Sequence, residues 1–359
     1  MNTFVKNAWY VAAWSEEVGR ELRPRTILGE KLVLWRRSDG SPAALVDRCP
    51  HKLAPLSVGE LVGDSVQCGY HGMTFDGSGR CVRVPGQSVV PPTACVRSFP
   101  LVERYGAVWI WMGEPALADP QRIVEVRRFG EPGWGLVSGQ YLHFKTNYLN
   151  ITDNLVDPAH TTYVHKKTIG NAAAEDVSVK VEQGDAHVCA YRWVNGSEPV
   201  PLMKAMASFV GPVDRWQYYY LHLPSTSCVD FGAVPAGSDH GEAERDSGFR
   251  SFSYNFLTPE TETTTHYFWL HLRNYHVGSS DADKEVARLM TATFEEDAAI
   301  LALIQQEQDR MGVREFVRLG IDNAPARIRR MVSRLQEAEI QVPMKLDPGT
   351  AGAAPCVSA

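Results

Sequence analysis

Two Cys-His pairs constrain this chain more than any other feature. Cys49-Pro50-His51 is followed, after sixteen residues, by Cys68-Gly69-Tyr70-His71, so each of two loops offers one thiolate and one imidazole. Two thiolates on one iron and two imidazoles on the other is the ligand set of a [2Fe–2S] centre whose neutral nitrogens raise its potential above that of an all-thiolate cluster. Zinc is the rival, since two Cys and two His also bind it tetrahedrally. Zinc fingers, however, place both Cys in one half and both His in the other, with a helix between. Here each half has one of each, and the second pair runs through Gly72-Met73-Thr74-Phe75-Asp76 into Gly77-Ser78-Gly79, a strand entering a turn.

The reading is a Rieske [2Fe–2S] cluster on Cys49, His51, Cys68 and His71, a relay for single electrons. The remaining cysteines, Cys81, Cys95, Cys189, Cys228 and Cys356, are odd in number and lack framework spacing. Reduced thiols in a cytoplasm are expected. At 359 residues, 44% hydrophobic and 22% charged, the chain has material for two domains with proper cores. A net charge of −6 without a basic block argues against nucleic acid and anionic membrane surfaces. No apolar run approaches the length of a membrane span, and the segment from Met1 to Trp9 lacks the features of a secretory leader.

The first hundred or so residues read as short strands between turns: Lys31–Arg36, Ala43–Asp47, Ala107–Trp111, with the metal loops among them. Pro, Gly and charge gather from Gly113 to Gly133, which suggests a β domain over 1–125. A helical segment near 145–165 and strand-like runs at Val177–Val181, His187–Val194, Arg215–His222, Phe252–Leu257 and Thr265–Asn274 follow, then a long helix from about Asp283 to Met311. Strands that share one antiparallel sheet with helices on one side make an α+β domain over 126–345. The Gly/Ala/Pro-rich tail at 346–359 is expected to be disordered.

A second constellation lies in Asp153-Asn154-Leu155-Val156-Asp157-Pro158-Ala159-His160-Thr161-Thr162-Tyr163-Val164-His165. Five residues turn a straight helix by about 500°, leaving the two His about 140° apart, so both reach one metal only if the helix bends or ends between them. Asp157-Pro158 looks like a helix start, an N-cap with Pro at N1, which would put His160 in the first turn. A third ligand is offered by the long helix. Val286, Met290, Phe294, Leu301 and Ile304 fall within about 60° of Asp297 on the wheel, so Asp297 sits in the apolar stripe. Glu295 and Glu296 lie about 160° and 100° away, where solvent is natural. A buried carboxylate needs a partner, a proton or a metal, and the structural alternative is an ion pair with an arginine such as Arg273. His160, His165 and Asp297 together compose a 2-His-1-carboxylate triad, which leaves open positions on non-haem Fe(II) for O₂ and substrate.

These residues resemble the Rieske non-haem iron oxygenases, and within them the terminal oxygenases of vanillate O-demethylase, dicamba O-demethylase and toluenesulfonate methyl-monooxygenase. The likeness is carried by both metal motifs and by Asn7–Ala13, Val102–Trp111, Leu257–Glu262, Arg273-Asn274 and Phe294–Asp297, and it covers nearly everything from about residue 4 to 340. The resemblance implies a Rieske β domain before a helix-grip catalytic domain, and a head-to-tail homotrimer in which one subunit's cluster serves the next subunit's iron. It implies that Asp157 bridges His160 to His71 across that junction, with a plain helix cap as its structural alternative, and that Asn154 stands just outside the iron's ligands. Electrons would come from a separate NADH-dependent reductase with flavin and a plant-type [2Fe–2S] cluster, or from a ferredoxin; no Rossmann-type glycine loop is present here.

Other classes fit less well. A respiratory Rieske subunit would have an anchor and an extra cysteine in each cluster loop. A soluble Rieske electron carrier would end near residue 110, and a ligand-binding helix-grip module would not place Asp297 in an apolar stripe. The expected reaction is monooxygenation of an aromatic substituent with O₂, foremost O-demethylation of a methoxyarene, with ring-methyl hydroxylation or ring cis-dihydroxylation as alternatives. Asp230 and Asn255 stand where relatives make polar contacts to an aromatic acid. An acidic residue there would repel a benzoate, and hints at a neutral, phenolic or cationic substrate. His266 and His271 read as core or surface histidines, and Arg288 lies opposite Asp297 on the wheel.

Overall fold

The computed structural model describes residues 4–207, 209–238, 241–312 and 317–341; the tail at 346–359, expected to be disordered, lies outside the described residues. The described residues form two compact units, one of 4–123 together with 336–341, the other Val124–Leu335.

The first unit is mostly β. Its strands are β1 (Trp9–Trp14), β2 (Arg23–Ile27), β3 (Glu30–Arg36), β4 (Pro42–Val46), β5 (Glu60–Val62), β6 (Ser65–Gln67), β7 (Thr74–Phe75), β8 (Cys81–Arg83), β9 (Leu101–Arg104) and β10 (Ala107–Trp111). They form three antiparallel sheets, β1-β10-β9, β2-β3-β4 and β5-β6-β7-β8. Every residue of β1 and β10 is buried, which is why these strands are apolar runs rather than alternating ones. Trp35, Trp109 and Trp111 are fully buried, and each indole N–H donates to a carbonyl, of Asp64, Arg104 and Glu114 respectively, so no polar atom of these rings is stranded. Cys49, Cys68, Cys81, Cys189 and Cys228 are free thiols, whereas Cys95 is disulfide-bonded. The expectation of reduced thiols therefore fails at Cys95: absence of framework spacing argues against a scaffold of bridges and says nothing about a single one.

The second unit begins with β11 (Gly135–Phe144), α1 (Tyr148–Asn154) and α2 (Thr161–Val164). Then come β12 (Lys180–Gln183), β13 (His187–Ser197), α3 (Pro201–Met206), β14 (Val213–His222), β15 (Thr226–Pro235), α4 (Glu242–Ser247), β16 (Phe249–Pro259), β17 (Thr265–Arg273), α5 (Ser280–Met311) and α6 (Asn323–Gln341). Seven strands make one antiparallel sheet, in the order β11-β17-β16-β15-β14-β13-β12. Strands β11 and β15 had no counterpart among the runs read from sequence; β11 alternates weakly between buried and exposed positions, and β15 contains Gly232 and a buried Asp, both poor strand signals.

Helix α5 lays one stripe against the sheet. Val286, Leu289, Met290, Thr293, Phe294, Asp297, Leu301 and Gln305 are its buried positions, and the apolar ones share a core with Phe144, Ile151, Leu155, Met203, Tyr267 and Trp269. Ile304, expected in that stripe, is exposed. Its neighbour Gln305 is buried instead, because its Oε1 accepts the Asn147 N–H at 2.8 Å and the Thr146 hydroxyl at 3.3 Å, fixing the start of α1.

Candidate metal centres

The two cluster loops have the same hydrogen-bond pattern. Cys49 N–H donates to Ala54 O and Leu53 N–H to Cys49 O; Cys68 N–H donates to Met73 O and Gly72 N–H to Cys68 O. At the matching fourth position both loops turn through positive φ, 60° at Leu53 and 71° at Gly72. Such a conformation is uncommon for leucine and costs free energy that surrounding contacts must offset. The buried Asp47 carboxylate closes the first loop by accepting the Ser57 N–H and hydroxyl, each at 2.6 Å. Cys49 and Cys68 are buried while His51 and His71 are exposed, with their rings edge to face at 4.6 Å between centroids. Burial pushes the Cys49 thiol up to about 11, so this sulfur keeps its proton at neutral pH unless a metal takes the proton's place. Sulfurs inside and imidazoles at the surface fit a cluster that passes electrons out through its histidine side.

The second centre is built around the short helix α2. His160 caps its start and His165 its end, and the backbone leaves helical geometry at His165, so the 140° conflict of a straight helix does not arise. The Asp157-Pro158 start is shifted: Asp157 Oδ1 caps Ala159 N–H at 2.8 Å, but the helix N-cap is His160 itself, whose carbonyl accepts the Val164 N–H at 2.9 Å. His160 Nδ1 is held by the Asp157 backbone carbonyl and His165 Nδ1 by Glu296 Oε2 at 2.8 Å. Both Nδ1 atoms therefore carry the proton, and both Nε2 lone pairs face inward.

Those nitrogens lie 3.2 Å apart, with Asp297 Oδ1 at 3.1 Å from His165 Nε2 and 3.6 Å from His160 Nε2. The three residues form a group able to hold one metal ion. Ligand atoms about 2.1 Å from a metal and at right angles to each other lie about 3 Å apart, so the spacing fits a facial triad. Without a cation, two lone pairs and a carboxylate would face each other in a buried site, which is unfavourable. Burial holds His160 below the usual imidazole range despite Asp297. Burial acts likewise on His165, but the Asp297 and Glu296 carboxylates outweigh it and raise its pKa, so a metal there displaces a proton.

The surroundings are specific. Asn154 Nδ2 donates to Asp297 Oδ1 at 3.1 Å, and its own Oδ1 is buried without a partner. Asp153 pairs with Arg329 at 2.6 Å. Arg192, buried in β13, ties down the loop before His160 by donating to Pro158 O at 2.6 Å and Ala174 O at 2.8 Å. Arg273, the alternative partner for Asp297, pairs with Asp283 at 2.6 Å. Within this chain the Asp157 carboxylate serves its own loop, and burial raises its pKa.

Asp297, His160 and His165 line a cavity of about 50 Å³ together with Leu155, Ile169, Met203, Val229, Phe231, Met290 and Phe294. Asp230 is not among its lining residues. Adjacent strand residues point to opposite faces, so Val229 and Phe231 face the cavity while Asp230 faces away, fully buried and bound to Arg250 at 2.6 Å, Arg245 at 3.1 Å and the Trp216 indole at 2.9 Å. The expected substrate contact is thus a structural ion pair. Asn255 has the cavity's parity but is also absent from its lining; its Nδ2 reaches only Ser253 O, at 3.5 Å. His266 is buried beside the Tyr141 hydroxyl at 2.9 Å, and His271 is buried with neither ring nitrogen partnered.

Sequence reasoning missed Glu296 and Arg215. Glu296 was assigned to solvent by its angle on the wheel, yet its side chain is 30% exposed and grips His165. The available signal was its place beside a carboxylate already judged buried. Arg215 lines the cavity, and the signal there was a charge on the same strand face as Val213, Tyr219 and Leu221.

The chain matches two family models: the Rieske [2Fe-2S] domain over residues 8–100 and the vanillate O-demethylase oxygenase C-terminal domain over 144–338. It is 39% identical over 339 residues to a putative toluene-4-sulfonate monooxygenase system iron-sulfur subunit of Comamonas testosteroni, covering 93% of this chain and 98% of that one. It is 37% identical over 343 residues to the oxygenase component of dicamba O-demethylase from Stenotrophomonas maltophilia, covering 94% and 99%. A crystal structure of dicamba monooxygenase with non-heme iron and dicamba matches with a TM-score of 0.79 at 34% identity, over 94% of this chain and 99% of that one.

Proposed function

The chain belongs to the Rieske non-haem iron oxygenases with a vanillate O-demethylase-type catalytic domain, with a [2Fe–2S] cluster and a mononuclear iron as its cofactors, and on that premise we propose that it is a terminal oxygenase that removes the methyl group of a methoxyarene. The observation that carries the reading is the convergence of His160 Nε2, His165 Nε2 and Asp297 Oδ1 on one point in the wall of an apolar cavity. Iron bound there supplies O₂ activation, and the cluster supplies the electrons that a lone ferrous ion lacks.

The residues around the site hold and orient. Asn154 and Glu296 fix the Asp297 and His165 ligands, and Leu155, Phe231 and Phe294 exclude water from the ring's place. At about 50 Å³ the cavity is smaller than the roughly 150 Å³ apolar cavity that takes benzene. An aromatic ring therefore needs side chains to move, and the unbranched Met203 and Met290 in the lining are the ones that reshape most readily. Hydroxylation of a methoxy carbon gives a hemiacetal that falls apart to a phenol and formaldehyde; ring-methyl hydroxylation at the same place would give a benzylic alcohol. The names of the relatives favour attack on a substituent over ring dihydroxylation.

In this reading residues 1–125 carry electrons and 126–345 carry out oxygenation. Three copies assemble head to tail in the cytoplasm, with Asp157 linking His160 to His71 of the next copy, and a separate NADH-dependent reductase supplies the cluster. O₂ uptake and formaldehyde release, measured with a surrogate reductase over methoxybenzoates, methoxyphenols and methylarenes, test the reading. Formaldehyde in step with O₂ uptake from a methoxyarene supports it. Diol products, or alcohols from methylarenes with no formaldehyde from any methoxyarene, would overturn it.

A further inference from the structure

The cavity that holds the metal triad also holds a cation without an anion. Arg215 projects from the inward face of β14, is 2% exposed and lines the same cavity as His160, His165 and Asp297. Its Nε donates to Ser197 Oγ at 3.0 Å and its Nη2 to Asn171 Oδ1 at 2.9 Å. Both acceptors are neutral, and no carboxylate among the described residues is seen to pair with it. Asp214, its neighbour in sequence, has the opposite strand parity and accepts the Gly196 and Gly237 N–H groups. Arg192 is equally buried with neutral acceptors but does not line the cavity, whereas Arg250 pairs with Asp230 and Asp246, and Arg273 with Asp283.

Burial, helped by the neighbouring Arg192, lowers the Arg215 guanidinium to about 10, so it remains charged at neutral pH. Arg192 donates its own hydrogen bonds to two carbonyls and to Gln217 Oε1, and adds positive potential without cancelling any. A buried charge is costly unless an opposite charge arrives, and apolar walls make its attraction for an anion stronger than at a surface. One more polar group is left over: the Ser253 hydroxyl lines the cavity, buried and without a partner. The hydroxyls of Thr161 and Thr293 and the Gln217 amide are all satisfied within the protein.

We infer that Arg215 anchors an anionic group of the substrate, so that the aromatic compound is a carboxylate or sulfonate held at the guanidinium with its substituent turned toward the triad. The inference rests on the reading that this cavity takes an aromatic ring, and it names the charge class of that ring. A planar guanidinium suits the paired oxygens of both head groups. Asp230 carries no weight against an anion, because it lies on the other face of the sheet with its charge met by Arg250 and Arg245.

Calorimetric binding to the anaerobic holoenzyme tests this with 4-methoxybenzoate, 4-toluenesulfonate and the uncharged 4-methoxybenzamide. In the wild type at least one anion is expected to bind about tenfold or more tighter than the amide, and the tighter of the two anions identifies the head group. Arg215→Gln should abolish that preference, weakening the anion by about ten- to a hundredfold while the amide is little changed; Arg215→Lys should restore part of it. A wild type that binds the amide as tightly as both anions overturns the proposal. So does an Arg215→Gln protein with native iron content, cluster absorbance and circular dichroism that keeps the preference. If Arg215→Gln does not fold, the wild-type ratio and the Arg215→Lys protein decide. Formaldehyde assays separate the two readings: anion preference lost in Arg215→Gln, with no formaldehyde from any methoxyarene, supports the anchor and overturns demethylation. Equal formaldehyde yield and equal binding of acid and amide do the reverse.

Discussion

Glu296 Oε2 stands 2.8 Å from His165 Nδ1, while Asp297 Oδ1 stands 3.1 Å from Nε2 of the same ring, so consecutive residues of one helix grip both nitrogens of one imidazole. Partners of this kind set ring orientation and raise ligand basicity, and their loss typically costs about ten- to a hundredfold in metal affinity. Glu296→Ala is expected to lower mononuclear iron affinity by that amount, and Glu296→Gln by less, since the amide oxygen still accepts. Iron content after dialysis against a graded chelator checks this, with cluster absorbance as the internal control. Wild-type retention in Glu296→Ala would show that the contact does not support the metal.

Asp297→Asn removes the one negative charge among the three converging ligands. The variant should lose its mononuclear iron and its turnover, and keep the visible spectrum of the [2Fe–2S] cluster. A protein that kept both the iron and the turnover would remove Asp297 from the ligand set.

The Asp230–Arg250 pair is fully buried on both sides, and removing one partner of such a pair typically costs about 3–5 kcal/mol. Asp230→Asn should lower the melting temperature accordingly and leave the affinity for aromatic acids unchanged. A variant of normal stability that has lost ligand affinity would return Asp230 to the substrate site.

His271 is buried, and burial lowers its pKa to about 3, aided by Arg273. The unfolded chain takes up a proton near pH 6.5 and the folded one does not, so the unfolded state binds more protons on acidification. Stability is therefore complete above pH 6.5, falls as pH drops, and stops falling below about 3, with a total loss on the order of 5 kcal/mol from this group. Denaturant melts between pH 7 and 4 should show His271→Gln less acid-sensitive than wild type. Identical pH slopes would mean that His271 is protonated in the folded protein.

Asp157→Asn keeps the backbone carbonyl that holds His160 Nδ1 and removes only the carboxylate charge. Both metals should stay bound while electron transfer from cluster to iron slows by at least tenfold in single-turnover measurements. Wild-type rates would exclude the proposed bridge.

Much of this architecture is legible along the chain because its signals are local. Ligand identity at the cluster rests on residues two or three apart in two loops, and Asp297 is marked by its place in a 3.6-residue apolar period that α5 then uses. The strand at Ala107–Trp111 follows from an unbroken apolar run, and Thr265–Arg273 from the aromatic cluster of Tyr267, Phe268 and Trp269 at its centre. Ile304 shows the limit of the period: it fits the stripe by angle yet is exposed, and Gln305 takes the buried place through hydrogen bonds from Thr146 and Asn147.

The atoms that can bind metal, two Cys-His loops and a His, His, Asp set, are readable from the chain alone, because ligand chemistry belongs to residue type and short spacing. Where the charges end up depends on packing in three dimensions. Asp230 turned outward to Arg250 while Arg215 turned inward, a matter of strand parity and partner strands distant in sequence. Glu296 found His165 across 131 positions of chain. Burial and pairing are properties of space, and a charge acquires its role from what surrounds it there.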